Sequence, residues 1–293
     1  MGNRRLGRKR LDAALRRLNA GLNDSTGSRT GQKGFDMPAY ELMPSKYFGF
    51  FDDFMGTSTG ATDAAADADL AGSIGADSST SLFASWRTNV GGTSDTISLD
   101  NAYSGGVLKI LGGTADNDET HMTSINSGFQ LDSSNGRKLW FEARIAVGDA
   151  DKTGWFVGLA SDNGAEETSI LTDGGGATED AIGFYVIAGD AAVDINVITA
   201  VGDSETLTDT GVNVGDATIT GGTSTGDNWL TLSLYFDGSS LHSYVNGALK
   251  NTIASTLPTT ATTVIFPSIH LAARVGSAAD TLHVDYVRVC QER

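Results

Sequence analysis

The chain has 293 residues, 40% of them hydrophobic, with 37 glycines, 4 prolines and a single cysteine. One cysteine excludes an intrachain disulfide framework, and no run approaches the roughly 18–20 apolar residues of a spanning helix. The formal net charge is −16 and it is unevenly placed: residues 1–34 carry nine basic and two acidic side chains, a net +7, whereas the remaining 259 carry eleven basic and 34 acidic, a net −23.

The N-terminal segment therefore reads as a separate arm. Leu11, Leu15, Leu18 and Leu22 recur at steps of four, three and four, one stripe of a short α-helix. Arg4, Arg5, Arg8, Lys9, Arg10, Arg16 and Arg17 supply the charge around it, and Gly21 is a C-terminal stop. A helix this short needs a surface on which to bury its leucines. NDSTGSRTGQKG (23–34) follows as a tether. The N-terminus lacks the apolar segment of a secretory signal, so the chain is expected to be made in the cytoplasm without export.

Residues 35–293 read as one β domain. An aromatic stretch leads into a first strand near Tyr47–Phe54, and residues 56–81, rich in Gly, Ala, Ser and Asp, read as a low-complexity surface loop. LWFEARIAV then alternates, with Leu139, Phe141, Ala143, Ile145 and Val147 on one face and Trp140, Glu142 and Arg144 on the other. GWFVGLAS, AIGFYVIAG and VDINVITA are further strands. In NWLTLSLYFDG, Leu230, Leu232, Leu234 and Phe236 face inward, and Asp237-Gly238 and Asn246-Gly247 turn the chain. TVIFPSIHLAARV and TLHVDYVRVCQ close the series, with Cys290 as a buried thiol. Many strands without intervening helices exclude βαβ units and predict an all-β, antiparallel β-sandwich.

Several constellations carry chemistry in other proteins. The Asp-rich stretches DNDE (116–119), GDADKTG (148–154) and TDGGGATED (172–180) offer oxygen ligands of the kind Ca²⁺ takes, but DADKTG lacks EF-hand spacing and its terminal Glu, so polar turns are the favoured reading and no cofactor is assigned. His121, His242, His270 and His283 show no zinc-ligand spacing and are placed on strand surfaces or in the core. There is no Gly-x-Ser-x-Gly elbow, and no Gly-rich loop opens a helix. Trp140, Trp155, Tyr185, Tyr235 and Tyr244 could form a sugar platform, although aromatics also pair across strands without any ligand.

YFGFFDDF, LWFEARI, GWFVGLA, NWLTLSLYFDGSSLHSYVNG and LHVDYVRVCQ together resemble the concanavalin A-like lectin/glucanase jelly roll over roughly residues 47–291. GGVLKILGGTADNDETHMTS followed by LWFEARIAV also resembles β-sandwich proteins of tailed bacteriophages, and MGNRRLGRKRL is similar to the N-termini of phage structural proteins. Laminarinase-like members of the superfamily use a Glu-x-Asp-x-x-Glu strand, whose paired carboxylates act as nucleophile and general acid. This chain has no such motif: Glu142 is the only carboxylate in LWFEARIAV, and Glu166-Glu167 lie in a turn region.

The resemblance therefore implies a non-enzymatic virion protein that decorates or cements a capsid and resides on its surface. Its arm would dock on the major capsid protein or another acidic virion protein, beside neighbouring copies of itself. Phosphate binding by the arm is opposed by the −23 body, so nucleic acid is disfavoured as a partner, and no membrane contact is expected. A lectin-like module that contacts host surface carbohydrate is the alternative, and a divergent hydrolase stands third.

Overall fold

A computed structural model describes residues 45–54, 61–62, 86–90, 96–100, 106–112, 119–124, 128–147, 153–161, 180–186, 194–202, 204–213, 229–260, 263–273 and 281–293. In chain order the strands are β1 (Tyr47–Asp52), β2 (Ala61–Thr62), β3 (Trp86–Val90), β4 (Thr96–Leu99), β5 (Leu108–Leu111), β6 (Glu119–Ser124), β7 (Leu139–Val147) and β8 (Thr153–Ala160). They continue with β9 (Ala181–Val186), β10 (Asp194–Val201), β11 (Ser204–Asn213), β12 (Leu230–Phe236), β13 (Leu241–Val245), β14 (Ala248–Ile253), β15 (Phe266–Ala273) and β16 (Thr281–Glu292). No helix occurs among the described residues. The predicted first strand is present, and two residues of the stretch assigned to a surface loop, Ala61–Thr62, instead form an edge strand on β4.

The strands form two antiparallel sheets. One has nine strands, ordered β14-β13-β12-β7-β16-β5-β4-β2, with β1 added beside the C-terminal half of β16. The other has seven, ordered β11-β10-β9-β8-β15-β6-β3. The mixed sequence order within each sheet makes this a jelly-roll sandwich rather than a meander. Two bonds tie the edges: Asn251 Nδ2 donates to the Asp209 carbonyl at 2.9 Å, and Thr206 Oγ1 meets Thr256 Oγ1 at 3.2 Å.

Period-two alternation sets the core. From the nine-stranded sheet, Leu139, Phe141, Ala143, Ile145 and Val147 face inward beside Leu230, Leu232, Leu234 and Phe236, as the sequence predicts. From the seven-stranded sheet Trp155, Val157, Ile182, Phe184, Val197, Ile269 and Leu271 meet them. β8 and β9 are buried on both faces, which explains why GWFVGLA and AIGFYV read as unbroken apolar runs. Phe156, Ala160, Ala181, Tyr185, Ile198 and Ala200 form a second, smaller cluster on the outward face of that sheet.

Candidate functional site

The aromatic side chains converge on the outward face of the nine-stranded sheet. Register places Trp140 on β7 opposite Tyr235 on β12, and Tyr235 opposite His242 on β13. Trp140 and Tyr235 stack at 5.3 Å with 27° between ring planes, and Tyr235 and His242 stack at 5.8 Å and 22°. On the other side of Trp140 the same row continues through Cys290 on β16 and Gly49 on β1. These two small residues leave room for Tyr47, which meets the Trp140 ring edge-on at 5.9 Å and 75°. Four rings thus form a continuous band from β1 to β13, a span of about 19 Å at ~4.8 Å per strand. Each contact is also ordinary cross-strand packing, stabilising the sheet by roughly 0.5–1.5 kcal/mol per aromatic pair.

Polar groups border the band. His242 is held at both nitrogens, Nε2 at 3.1 Å from Asp237 Oδ2 and Nδ1 at 3.1 Å from Thr252 Oγ1. Two residues along β7, Glu142 accepts hydrogen bonds from Tyr286 Oη at 2.9 Å and Ser233 Oγ at 3.3 Å, and it faces Arg288 across β16. A bulge between Val284 and Tyr286 turns Asp285 toward Arg144, whose Nη1 donates to Asp285 Oδ2 at 2.6 Å. The same guanidinium lies 4.7 Å from the Trp229 ring centroid. Phe51 and Leu249, the most exposed large apolar side chains described, flank the face at 50% and 56% exposure.

Burial raises the phenols of Tyr47, Tyr235, Tyr244 and Tyr286. Glu292 adds to this at Tyr47, Asp237 at Tyr235 and Glu142 at Tyr286. These groups are hydrogen-bond donors at neutral pH. Burial alone would push the Asp237 carboxyl up, but hydrogen bonds from the Ser240 amide, His242 and the Ser239 amide and hydroxyl together hold it well below the usual range, so it remains an acceptor.

The five aromatics singled out from sequence do not all meet. Trp140, Tyr235 and Tyr244 share this face, and the strand register joins Tyr47 and His242 to them. Trp155 is in the core between the sheets. Tyr185 is buried in the small cluster on the opposite sheet. Nothing local in the sequence brings in Tyr47, whose place depends on Gly49 and Cys290 lying across the gap, or His242, which joins through the pairing of β12 with β13. Cys290 is buried, as expected, but in the aromatic band rather than between the sheets.

Of the remaining histidines, His283 Nε2 pairs with Asp100 Oδ2 at 2.8 Å, and His121 stacks on His270. Among the described residues no group of three or more His, Cys, Asp and Glu side chains could hold a metal ion. Most of the Asp-rich stretches weighed for Ca²⁺ and read as polar turns lie outside the described residues, as do all the residues of the expected docking arm, Arg4 to Leu22.

Fold and register together define an antiparallel jelly-roll β-sandwich. The chain is similar to LamA of Zobellia galactanivorans solved with laminaritriose and laminaritetraose: 14% identity, 83% of this chain and 98% of that chain, TM-score 0.48. It is similar to a glycoside hydrolase family 16 endo-glucanase from Bacteroides ovatus (14%, 82% and 99%, TM-score 0.47). It is also similar to the β-glucanase of Bacillus licheniformis (13%, 82% and 97%, TM-score 0.46). No protein-family model and no curated protein matches the sequence.

Two expectations are corrected by these neighbours. The first is the non-enzymatic capsid decoration protein: the three structures that share this fold are carbohydrate-active, and none is a virion component. The basic arm had suggested a capsid, but a short basic amphipathic pattern reports only the charge of a partner, not its identity. The second is the exclusion of enzymatic activity. It rested on one missing motif, whereas the neighbours are glucanases. At 13–14% identity the likeness shows the fold, and no residue role passes from the neighbours to this chain.

Proposed function

We propose that this protein binds carbohydrate on the outward face of its nine-stranded sheet. The observation that supports this reading is the unbroken band Tyr47–Trp140–Tyr235–His242, bordered by fixed donors and acceptors. A sugar presents apolar C–H faces and directional hydroxyls together, and its recognition needs aromatic surface with a few placed polar groups. Here Tyr286, Ser233 and the tyrosine hydroxyls donate, while Glu142 and Asp237 accept. A band crossing from β1 to β13 suits an oligosaccharide rather than a single ring.

Affinity electrophoresis of the full chain through gels of β-glucan, galactan and polyuronate tests this. The wild type is expected to be retarded in at least one gel. Trp140→Ala and Tyr235→Ala should each weaken that retention about tenfold, which corresponds to ~1.4 kcal/mol. Retention equal to wild type in both variants, or no retardation in any gel, would overturn the assignment. Running the gels with and without Ca²⁺ tests the Asp-rich stretches, and reducing-end release in the same samples reports hydrolysis.

A further inference from the structure

The aromatic band lies among paired charges. Arg144 meets Asp285 at 2.6 Å, Arg288 stands opposite Glu142 across β16 and β7, and His242 meets Asp237 at 3.1 Å. At the Tyr47 end, Lys138 Nζ is 4.0 Å from Glu292. Further along β16, Lys109 faces His283, and Asp100 Oδ2 is 2.8 Å from that imidazole. Lys46 and Arg293 lie at the outer ends of β1 and β16, and Lys250 occupies the bulge of the edge strand β14.

This pairing limits what the face can bind. A carboxylate or sulfate on a ligand would have to draw a guanidinium away from Asp285 or Glu142 and then sit beside the carboxylate it displaced. With His242 neutral, the carboxylates Glu142, Asp237, Asp285 and Glu292 outnumber the cations Arg144, Arg288 and Lys138. Residues 35–293 carry a net −23 in addition, so the surrounding field repels anions. Hydroxyl groups meet the opposite situation. An ionised carboxylate has about four lone-pair sites, and its hydrogen bonds are stronger than those of a neutral acceptor. The Ser239 amide and hydroxyl and the Ser240 amide all donate to Asp237 Oδ1, whereas His242 meets Oδ2. The Asp237 side chain is 34% exposed and that of Asp285 26%, so both present acceptor oxygens to a ligand on the band.

We propose that the band selects neutral, hydroxyl-rich oligosaccharides over uronate- or sulfate-bearing ones. Asp237 and Asp285 make the choice, accepting sugar hydroxyls and repelling ligand anions. This selectivity rests on carbohydrate binding at the same face.

Affinity electrophoresis of the full chain at low ionic strength tests it with matched polymers. The β-glucan and the galactan are each compared with their own carboxymethylated form, and the polyuronate with its methyl ester. Wherever the chain is retained, the neutral form should hold it about tenfold more strongly than the anionic form. Asp285→Asn, which releases Arg144, and Asp237→Asn should each shrink that ratio roughly threefold. Glu205→Gln, on β11 of the other sheet, removes the same charge from the body and should leave the ratio unchanged. Anionic retention equal to or above the neutral would overturn the selectivity and leave carbohydrate binding standing. A ratio that moves as much in Glu205→Gln as in the other two variants, or that moves in none, would overturn the role of Asp237 and Asp285. No retention on any polymer would overturn carbohydrate binding itself, and the selectivity with it.

Discussion

Gly158→Ala is expected to lower stability by about 3 kcal/mol or more, read as a drop in the urea midpoint. Gly158 on β8 and Gly183 on β9 are cross-strand partners on the outward face of the seven-stranded sheet. The Phe156 ring lies over both. A Cβ on Gly158 would fall onto the Ile182 carbonyl oxygen and within 2.5 Å of Gly183 Cα. Both are backbone atoms of the neighbouring strand, so relief requires opening the β8–β9 ladder. A Cβ on Gly183 instead meets the Phe156 ring, with Cζ at 2.7 Å, and the Val157 carbonyl oxygen at 3.0 Å. The ring can be removed, whereas the backbone cannot.

The two glycines should therefore behave differently in a cycle with Phe156→Ala. That change alone costs about 3–5 kcal/mol, by emptying the site beside Tyr185 and Ile198. With Gly183→Ala the combined loss should fall short of the sum by 1 kcal/mol or more, because one substitution removes the other's clash. With Gly158→Ala the shortfall should be much smaller. A Gly158→Ala protein with a wild-type urea midpoint would contradict the close approach.

Alternation made the sandwich legible. The inward set of β7 and β12 was readable from LWFEARIAV and NWLTLSLYF, because one face of each strand is buried and the other is polar or aromatic. The site was readable only in part. Trp140 and Tyr235 stand at outward positions of strands that the sequence identifies, but nothing local says that β7 and β12 are neighbours. That adjacency comes from a crossover joining segments nearly a hundred residues apart, and strand order in a jelly roll is not written in any single strand. The pairing of His121 with His270 is hidden from the sequence for the same reason, because it depends on β6 lying beside β15. The fold-level resemblance was sound where it rested on strand punctuation. It failed as a guide to role, because the arm carries charge and amphipathicity but no partner-specific chemistry.

Removing the clip between β1 and β3 should be about as damaging as the glycine substitution. Asp52 ends β1 in the nine-stranded sheet, and Trp86 begins β3 at the edge of the seven-stranded sheet. Trp86 Nε1 donates to Asp52 Oδ2 at 2.8 Å, and the Phe54 amide donates to Asp52 Oδ1 at 2.7 Å. The second bond steadies Phe54 at φ 56°, a left-handed conformation that a β-carbon resists. Phe50 and Phe54 then pack on the indole at 5.5 Å and 6.0 Å, so one carboxylate aligns three core rings. Trp86→Ala should cost about 3–5 kcal/mol through lost packing. Asp52→Ala should cost about 2–4 kcal/mol by leaving two buried donors unmet. Trp86→Phe keeps most of the ring volume and should cost least of the three. Burial raises the Asp52 carboxyl above its ordinary value, even though both hydrogen bonds oppose the shift. The folded protein therefore takes up this proton before the unfolded chain does. The contribution of Asp52 to stability grows as pH falls through the raised pKa and levels off below the unfolded value of about 3.9. Urea titrations at pH 7 and pH 4.5 should accordingly show a wider gap between wild type and Asp52→Ala at the lower pH. A gap that narrows in acid would mean that hydrogen bonding, not burial, governs this carboxylate.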